Sequence, residues 1–338
     1  MKAFRFADDF KSLKMHEEEP PEVGPLDVLI RVSAVSLNFR DQAILKGAYP
    51  STVGKNIIPV SDGVGEVVAV GDAVTRAKIG DRVSGSCMEH WIAGPYLPDY
   101  LSRNIGITCN GWLAEYALIH ENAVVQVPAY LSDPEVAALP CAAVSAWSAL
   151  HVGGPLRPGH IVLIQGTGGV ALAGLQIAKM FNARVLAITS TNKKADMLKE
   201  MGAETVVNYR EYPDWHEEIL RQTNGRGVDK VVEIAGEATI VKSVASTRIG
   251  GAIGLVGFTS GFGGGLPPID ILARTVTISG IGIGPRLNFE ALLDAMEISK
   301  PRPVIDSVFP LSGYAEAYRH LERSAHIGKI VINVRDRS

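Results

Sequence analysis

The sequence predicts an α/β protein of two domains, a β-rich one followed by a doubly wound parallel sheet. Three observations carry this. The chain has 338 residues, enough for two separate cores. Its first 128 residues hold β-branched runs broken by glycine and proline, whereas strands alternate with helices from about residue 133. Residues 161–181 read as an apolar strand, a glycine turn and an apolar-periodic helix in unbroken succession.

In the first segment, Val28–Val35 and Val64–Val70 predict strands, Gly71-Asp72 a hairpin turn, and Ile79–Val83 the approach to a further strand. Residues 88–111 are irregular and carry Trp91, Tyr96 and Tyr100; a loop this long usually has a function or is disordered. Its aromatics fit either the wall of a substrate cleft or a packed surface loop. Pro134–Leu150 predicts one helix. After the 161–181 unit come a strand at Arg184–Ile188 and a helix at Lys193–Met201. Further strands are expected at Thr205–Val207, Asp229–Ile234, Ala252–Val256 and Thr275–Ile281. Helices at Phe289–Ser299 and Tyr314–Ser324 precede a last strand at Lys329–Val334. That tail is too short for a domain of its own, which assigns 1–128 with 285–338 to one domain and 129–284 to the other.

Composition excludes several classes. Hydrophobic residues are 46% and charged residues 20%, ordinary for a folded soluble protein. A net charge of −3 gives no electrostatic case for nucleic acid or an anionic membrane. Cys87, Cys109 and Cys141 form no C-x-x-C pair, so neither a disulfide framework nor a structural zinc knot is indicated, and reduced thiols in a cytoplasmic protein are expected. The charged N-terminal stretch lacks the apolar centre of a signal peptide. Residues 161–178 are uncharged, but their four glycines and two glutamines suit a strand, turn and helix better than a membrane span.

The glycine turn reads Gly166-Thr167-Gly168-Gly169-Val170-Ala171, a G-x-G-x-x-A dinucleotide fingerprint in its strand-to-helix setting. Gly166 permits the tight turn, Gly168 a close approach of backbone to pyrophosphate, and Ala171 close packing of helix on strand. The helix N-terminus offers N–H groups and a positive dipole end to phosphate. A nicotinamide dinucleotide is the expected ligand.

With the fingerprint placed, the chain resembles the medium-chain dehydrogenase/reductase superfamily along essentially its whole length. The resemblance rests on Ser36–Asp41, Gly63–Gly71, Gly80–Val83, Leu113–Tyr116, Leu139–Ala142 and Met201–Ala203. It implies a GroES-like catalytic domain and a Rossmann domain. In the zinc enzymes of that superfamily, the residue matched by Asn38 is a cysteine and the pair matched by Ser61-Asp62 is His-Glu. Only Cys141 matches a ligand, and the cysteine-rich structural zinc lobe is missing from 88–111. No metal site is therefore expected, although a relocated one could draw on Cys87 or His90.

What stands instead is similar to the quinone oxidoreductase and enoyl reductase branch, through Asn38 and the run Leu45-Lys46-Gly47-Ala48-Tyr49-Pro50. That likeness implies Asn38 and Tyr49 as catalytic groups, neutral donors to a carbonyl oxygen that gains charge. The bland alternative is that Asn38 caps a loop and Tyr49 packs. For the cofactor, the second strand ends Thr189-Ser190-Thr191-Asn192-Lys193-Lys194, with hydroxyls and lysines but no carboxylate to meet a ribose 2′-hydroxyl. A 2′-phosphate suits such groups, so NADPH is expected. By resemblance, Lys194 and Tyr209 are phosphate-side contacts, Ser190 lies with them, and Ser145, Val256, Gly257, Ile281 and Lys329 border the cofactor. The run Arg274–Ile281 resembles the edge strand through which homodimers pair.

The expected function is NADPH-dependent, zinc-independent reduction of a quinone or α,β-unsaturated carbonyl compound by hydride transfer. Two alternatives stay open. One is an alcohol or aldehyde oxidoreductase with residual zinc dependence; the other is a non-catalytic NADPH-binding protein.

Overall fold

A computed structural model describes residues 1–49 and 52–335, so Pro50 of the run at 45–50 lies outside the described residues. The chain divides into two units. Unit 1 is Met1–Val144 with Gly284–Ser338, and unit 2 is Ser145–Ile283.

In chain order the strands are β1 (Lys2–Phe6), β2 (Leu13–Glu17), β3 (Asp27–Ser36), β4 (Asp62–Val70), β5 (Arg82–Gly85), β6 (Tyr116–His120), β7 (Val124–Gln126), β8 (Ile161–Gln165), β9 (Arg184–Thr189), β10 (Thr205–Asn208), β11 (Val228–Glu233), β12 (Thr247–Leu255), β13 (Thr277–Gly280), β14 (Ile305–Pro310) and β15 (Lys329–Asn333). The helices are α1 (Phe39–Leu45), α2 (Asp133–Ala137), α3 (Ala142–Leu150), α4 (Gly169–Met180), α5 (Asn192–Glu200), α6 (Trp215–Gln222), α7 (Ile240–Ser246), α8 (Pro268–Arg274), α9 (Arg286–Ser299) and α10 (Tyr314–Glu322).

Unit 1 is built on a sheet ordered β14-β15-β3-β4-β5-β7, with β6 also pairing with β3. The long strand β3 lies at its centre because alternate positions Val28, Ile30, Val32 and Ala34 are fully buried. The apolar core gathers around Trp112, with Ile30, Leu37, Ile105, Leu113 and Ile119. Trp112 lies so close to β4 that a Cβ at Gly63 would come within 2.4 Å of its ring, which explains glycine there. Strand β15 joins antiparallel to β3 with Val331 opposite Ser36, and β4 joins on the other side with Asp62 opposite Ser36.

In unit 2 every strand is parallel, ordered β10-β9-β8-β11-β12-β13. After β8 the chain builds outward through β9 and β10, then returns to place β11 on the other side of β8. That reversal creates a topological switch point at the C-terminal ends of β8 and β11, where open parallel sheets bind ligands. The opposite, N-terminal end is fastened by Asp229, which is 2% exposed. Its carboxylate accepts from the Ile161 backbone at 2.8 Å, from Arg226 at 2.7 Å and from Arg248 at 2.6 Å. Burial alone would raise its pKa, but these donors prevail and hold it at about 2.

Most expected elements are present within a residue or two, and the departures have local causes. The helix expected over Pro134–Leu150 is two helices, α2 and α3, separated at Leu139-Pro140-Cys141 because proline cannot continue the backbone ladder. The first expected boundary also moves, since residues 129–144 belong to unit 1, where α2 packs on β3 and β4. Strand β14 and the β1–β2 hairpin were not expected. β14 alternates half-buried and exposed residues, so its apolar signal is weak. Loop 88–111 is ordered by Glu89, 1% exposed, which accepts from Arg103 Nε at 2.5 Å. Trp91 stacks on Tyr100 and meets Tyr96 edge-on, so these aromatics pack on one another.

Candidate active site and cofactor-binding strand ends

In unit 1, the register of β15, β3 and β4 brings three polar groups together from distant parts of the chain. β3 ends at Ser36, and Asn38 begins α1 two residues later with extended backbone at its N-cap (φ −124°, ψ 159°). β15 begins at Lys329, admitted there by Gly328 (φ +86°), whose Cβ would stand 2.2 Å from the Val304 carbonyl. β4 begins at Asp62. Lys329 Nζ donates to the Leu37 carbonyl at 2.7 Å and to Asn38 Oδ1 at 2.5 Å, and pairs with Asp62 Oδ2 at 3.5 Å. Lys329 and Asp62 side chains are 7% and 0% exposed. The lysine expected to border the cofactor thus has its donors engaged within unit 1.

Asp62 is the centre of a second set of contacts. Ser61 Oγ donates to its Oδ1 at 2.5 Å, the Cys141 backbone N–H to its Oδ2 at 3.3 Å, and Cys87 Sγ lies 3.8 Å from Oδ1. Ser61 follows Val60, a β-branched residue held at φ 72°, where few non-glycine residues go. Its backbone is pinned there because its carbonyl accepts from the Trp112 N–H at 2.8 Å.

These groups do not fit a zinc ion. Asn38 Oδ1 and Asp62 are taken by Lys329, and the Ser61 hydroxyl is spent on Asp62. A hydrogen bond to Cys141, then burial, pushes the Cys87 thiol well above its ordinary pKa. Among the described residues no three His, Cys, Asp or Glu side chains gather to hold a metal.

Asn38 caps α1, as the bland alternative held, in a capping box with Asp41; its Oδ1 meets the lysine, leaving Nδ2 buried with no hydrogen-bond partner. Tyr49 is half-buried against Phe6, Ile44 and Ile107. Burial raises its phenol pKa, with Arg40, Cys141, Asp41 and Tyr96 close enough to act on it electrostatically. Behind them, Asp41 is 0% exposed; its Oδ2 accepts from the Asn38 N–H at 2.8 Å while Oδ1 has no partner. Desolvation pushes its pKa from 3.8 up to about 6, opposed by Arg40, the Asn38 N–H and Lys329 and reinforced by Asp62.

In unit 2 the fingerprint lies at the C-terminal end of β8. Gly166 takes φ +75°, and a Cβ at Gly168 would meet nothing within 4 Å, so the backbone there can be approached closely. Gly168 is the N-cap of α4, which starts at Gly169-Val170 with no capping side chain. Thr167 is 4% exposed and Ala171 fully buried. Other expected cofactor residues lie at neighbouring strand ends: Ser190 after β9, Tyr209 after β10, Val256-Gly257 after β12 and Ile281 after β13. Gly257 passes so close to β11 that a Cβ would stand 2.3 Å from the Ile234 carbonyl. Ser145 is 3% exposed in α3. This glycine cradle and uncapped helix end fit a dinucleotide pyrophosphate.

Two groups escaped the sequence reading. Glu233, fully buried at the end of β11, accepts from Gln165 at 2.7 Å, Ser243 at 2.5 Å, Thr239 at 2.6 Å and the Ala235 and Gly236 N–H groups at 3.0 Å. It fixes the loop beside the fingerprint, and only its place at a strand end hinted at this. The stretch 187–194 that closes β9 carries no acid, but Glu211 comes to it from elsewhere in the chain. Its Oε1 accepts from Asn192 at 2.7 Å and Asn208 at 3.0 Å. A loop after β10 delivers it, out of reach of a spacing rule.

A polar cluster on a GroES-like sheet and a Rossmann sheet with a glycine cradle define a nicotinamide-dependent oxidoreductase. The chain belongs to the medium-chain dehydrogenase/reductase superfamily. The alcohol dehydrogenase GroES-like domain matches residues 24–129, and the zinc-binding dehydrogenase family matches residues 169–297. A zinc-type alcohol dehydrogenase-like protein of Schizosaccharomyces pombe is 36% identical, covering 96% of each chain. The solved structure of an NAD-dependent alcohol dehydrogenase is 31% identical with a TM-score of 0.88, covering 99% of this chain and 100% of that one. A quinone oxidoreductase from Thermus thermophilus, solved also with NADPH, is 27% identical with a TM-score of 0.78, covering 99% and 100%. Among the described residues no helix is long and apolar enough to cross a membrane.

The raised pKa of Asp41 sets a pH dependence. Below about pH 4 the carboxyl is protonated in both folded and unfolded chains and carries no penalty. Between about pH 4 and pH 6 the unfolded chain ionises this carboxyl while the folded chain keeps it protonated, so on the order of 3 kcal/mol of stability is lost across that interval and no more above it. Asp41→Asn removes this loss, so urea midpoints at pH 4 and pH 7 should differ less in the variant than in the parent. Equal differences in both would refute the assignment.

Proposed function

We propose that the protein is an NADPH-dependent, zinc-independent reductase of a quinone or an α,β-unsaturated carbonyl compound. The observation carrying this reading is Asn38, which stands where related enzymes hold a metal ligand and offers a buried, unpartnered N–H donor. A reduced nicotinamide held by the glycine cradle would supply a hydride to the electrophilic carbon. As that carbon accepts two electrons, negative charge grows on the conjugated oxygen. Asn38 Nδ2 and the Tyr49 hydroxyl are the neutral donors assigned to it. Burial raises the Tyr49 pKa, so this donor keeps its proton at neutral pH. A proton from solvent completes the reduction.

For the cofactor, Gly166, Gly168 and the N-terminus of α4 are assigned to the pyrophosphate. Ser190, Lys194 and Tyr209 are assigned to a 2′-phosphate. Thr189 accepts from the Tyr209 N–H at 2.9 Å, which sets the second and third strand ends side by side. Glu211, held by Asn192 and Asn208, puts a carboxylate near these groups and favours a free ribose 2′-hydroxyl, so the comparison of NADPH with NADH below decides between the two cofactors. Supporting the dimer reading, β13 is an edge strand of the unit 2 sheet, and α8, which packs on β12, exposes Ile269 and Leu272 at 62% and 70%. An open strand edge calls for a cover, and a second copy pairing through Arg274–Ile281 supplies one.

Steady-state turnover of NADPH with a panel of quinones, enones and alkenals, after exhaustive chelation, tests the function. Activity should persist, and Asn38→Ala should lower kcat about 100- to 1,000-fold. Stoichiometric zinc whose removal abolishes turnover would establish the alcohol dehydrogenase alternative instead. Lys194→Glu should raise KM for NADPH at least tenfold more than KM for NADH; equal rises would rule out the 2′-phosphate assignment. Sedimentation equilibrium should return twice the 36.1 kDa chain mass, and a monomer at micromolar concentration would dismiss the edge-strand pairing.

A further inference from the structure

A primary amide is nearly symmetric in shape, so packing cannot decide which end of Asn38 meets a substrate. Its two ends are opposite in chemistry: the oxygen only accepts, the nitrogen only donates. If the oxygen faced a carbonyl gaining negative charge it would repel it. Something in the site must choose the orientation.

We infer that Lys329 makes this choice: it is a positioning residue that fixes the Asn38 amide so that N–H, not C=O, is presented to the substrate oxygen. The inference rests on the reading of Asn38 as the oxyanion donor. A lysine Nζ has three donors and no acceptor, so a neighbour 2.5 Å away must be the amide oxygen. That forces Nδ2 to the other side, where it is buried and unpartnered. The lysine cannot easily turn away, because the Leu37 carbonyl at 2.7 Å and Asp62 at 3.5 Å hold the same Nζ in a site where it is 7% exposed. Asp62 is in turn fixed by Ser61 and by the Cys141 N–H. A charged donor on Oδ1 also draws electron density from the amide, which strengthens its N–H as a donor. A fixed cation thus acts behind the donor, through an organic group.

The experiment uses the full chain in four forms: Lys329→Met, Lys329→Met with Asp62→Asn, Asn38→Ala, and Asn38→Ala with Lys329→Met. The second form leaves no buried carboxylate without its cation, and so remains a fair test if the first fails to fold. With Asn38 free to turn, kcat should fall about 10- to 100-fold, the loss typical of a misplaced catalytic group, while KM for NADPH changes less than about twofold. Lys329→Met should add nothing once Asn38 is alanine. Selective ¹⁵N-asparagine labelling gives a reading apart from turnover. The side-chain NH₂ pair missing in Asn38→Ala should be one resolved pair in the parent and should shift or broaden in the Lys329→Met forms. Unchanged kcat and an unmoved NH₂ pair in the Lys329→Met/Asp62→Asn form would overturn the inference, as would additive losses in the Asn38→Ala background. If Asn38→Ala itself leaves kcat intact, the oxyanion reading fails, while the NH₂ signature still decides whether Lys329 orients the amide.

Discussion

The register of three strands governs the site. β3 carries β15 on one edge and β4 on the other, with Val331 and Asp62 both opposite Ser36. Side chains in a sheet alternate with period two, so a one-residue slip would send Lys329 or Asp62 to the other face. Asn38 would then lose the partner on its oxygen, and Asp62 would be left buried without its cation. Burying a lone charge costs several kcal/mol, so the register that packs the core also assembles the polar cluster. The strain at Val60 belongs to the same scheme, since the backbone that presents Ser61 and Asp62 is held over Trp112 in a conformation valine rarely adopts.

Unit 2 works by a simpler rule. Parallel strands set all their C-terminal ends on one side, so residues scattered from Gly166 to Ile281 converge without long side chains. The fingerprint glycines matter for what they leave open, since a Cβ at Gly168 would meet nothing within 4 Å. Glu233 and Asp229 secure opposite ends of β11, each by gathering donors from neighbouring elements.

The fold was legible in the sequence because its signals are local. Strand, glycine turn and helix at 161–181 fall within one window, and the run at 28–35 is apolar enough to be a central strand. Within the candidate site, Asn38 and Tyr49 could be singled out because their motifs are contiguous. The link between Asn38 and Lys329 could not, since 291 residues separate them and only strand register joins them. Glu211 was hidden for a related reason: it reaches Asn192, at the start of α5, from the loop after β10, and a rule that counts along one strand does not see it. The break at Pro140 was readable from proline chemistry, but the apolar runs on both sides outweighed it.

The position of Lys329 bears on how the protein is made. β15 is synthesised after all of unit 2, yet it pairs with β3, laid down near the start. While the ribosome works through residues 145–283, β3 has β4 and β6 to pair with but not β15, and Asp62 has no ammonium beside it. Closing so wide a loop carries an entropic cost that grows slowly with length but must be met before any contact rewards it. Unit 2, an unbroken stretch of chain, can assemble on its own during synthesis, whereas unit 1 waits as an incomplete sheet with an exposed strand edge. That interval is the nascent chain's period of greatest exposure to misassembly. It ends when the segment that seals the sheet also delivers the cation to the polar cluster.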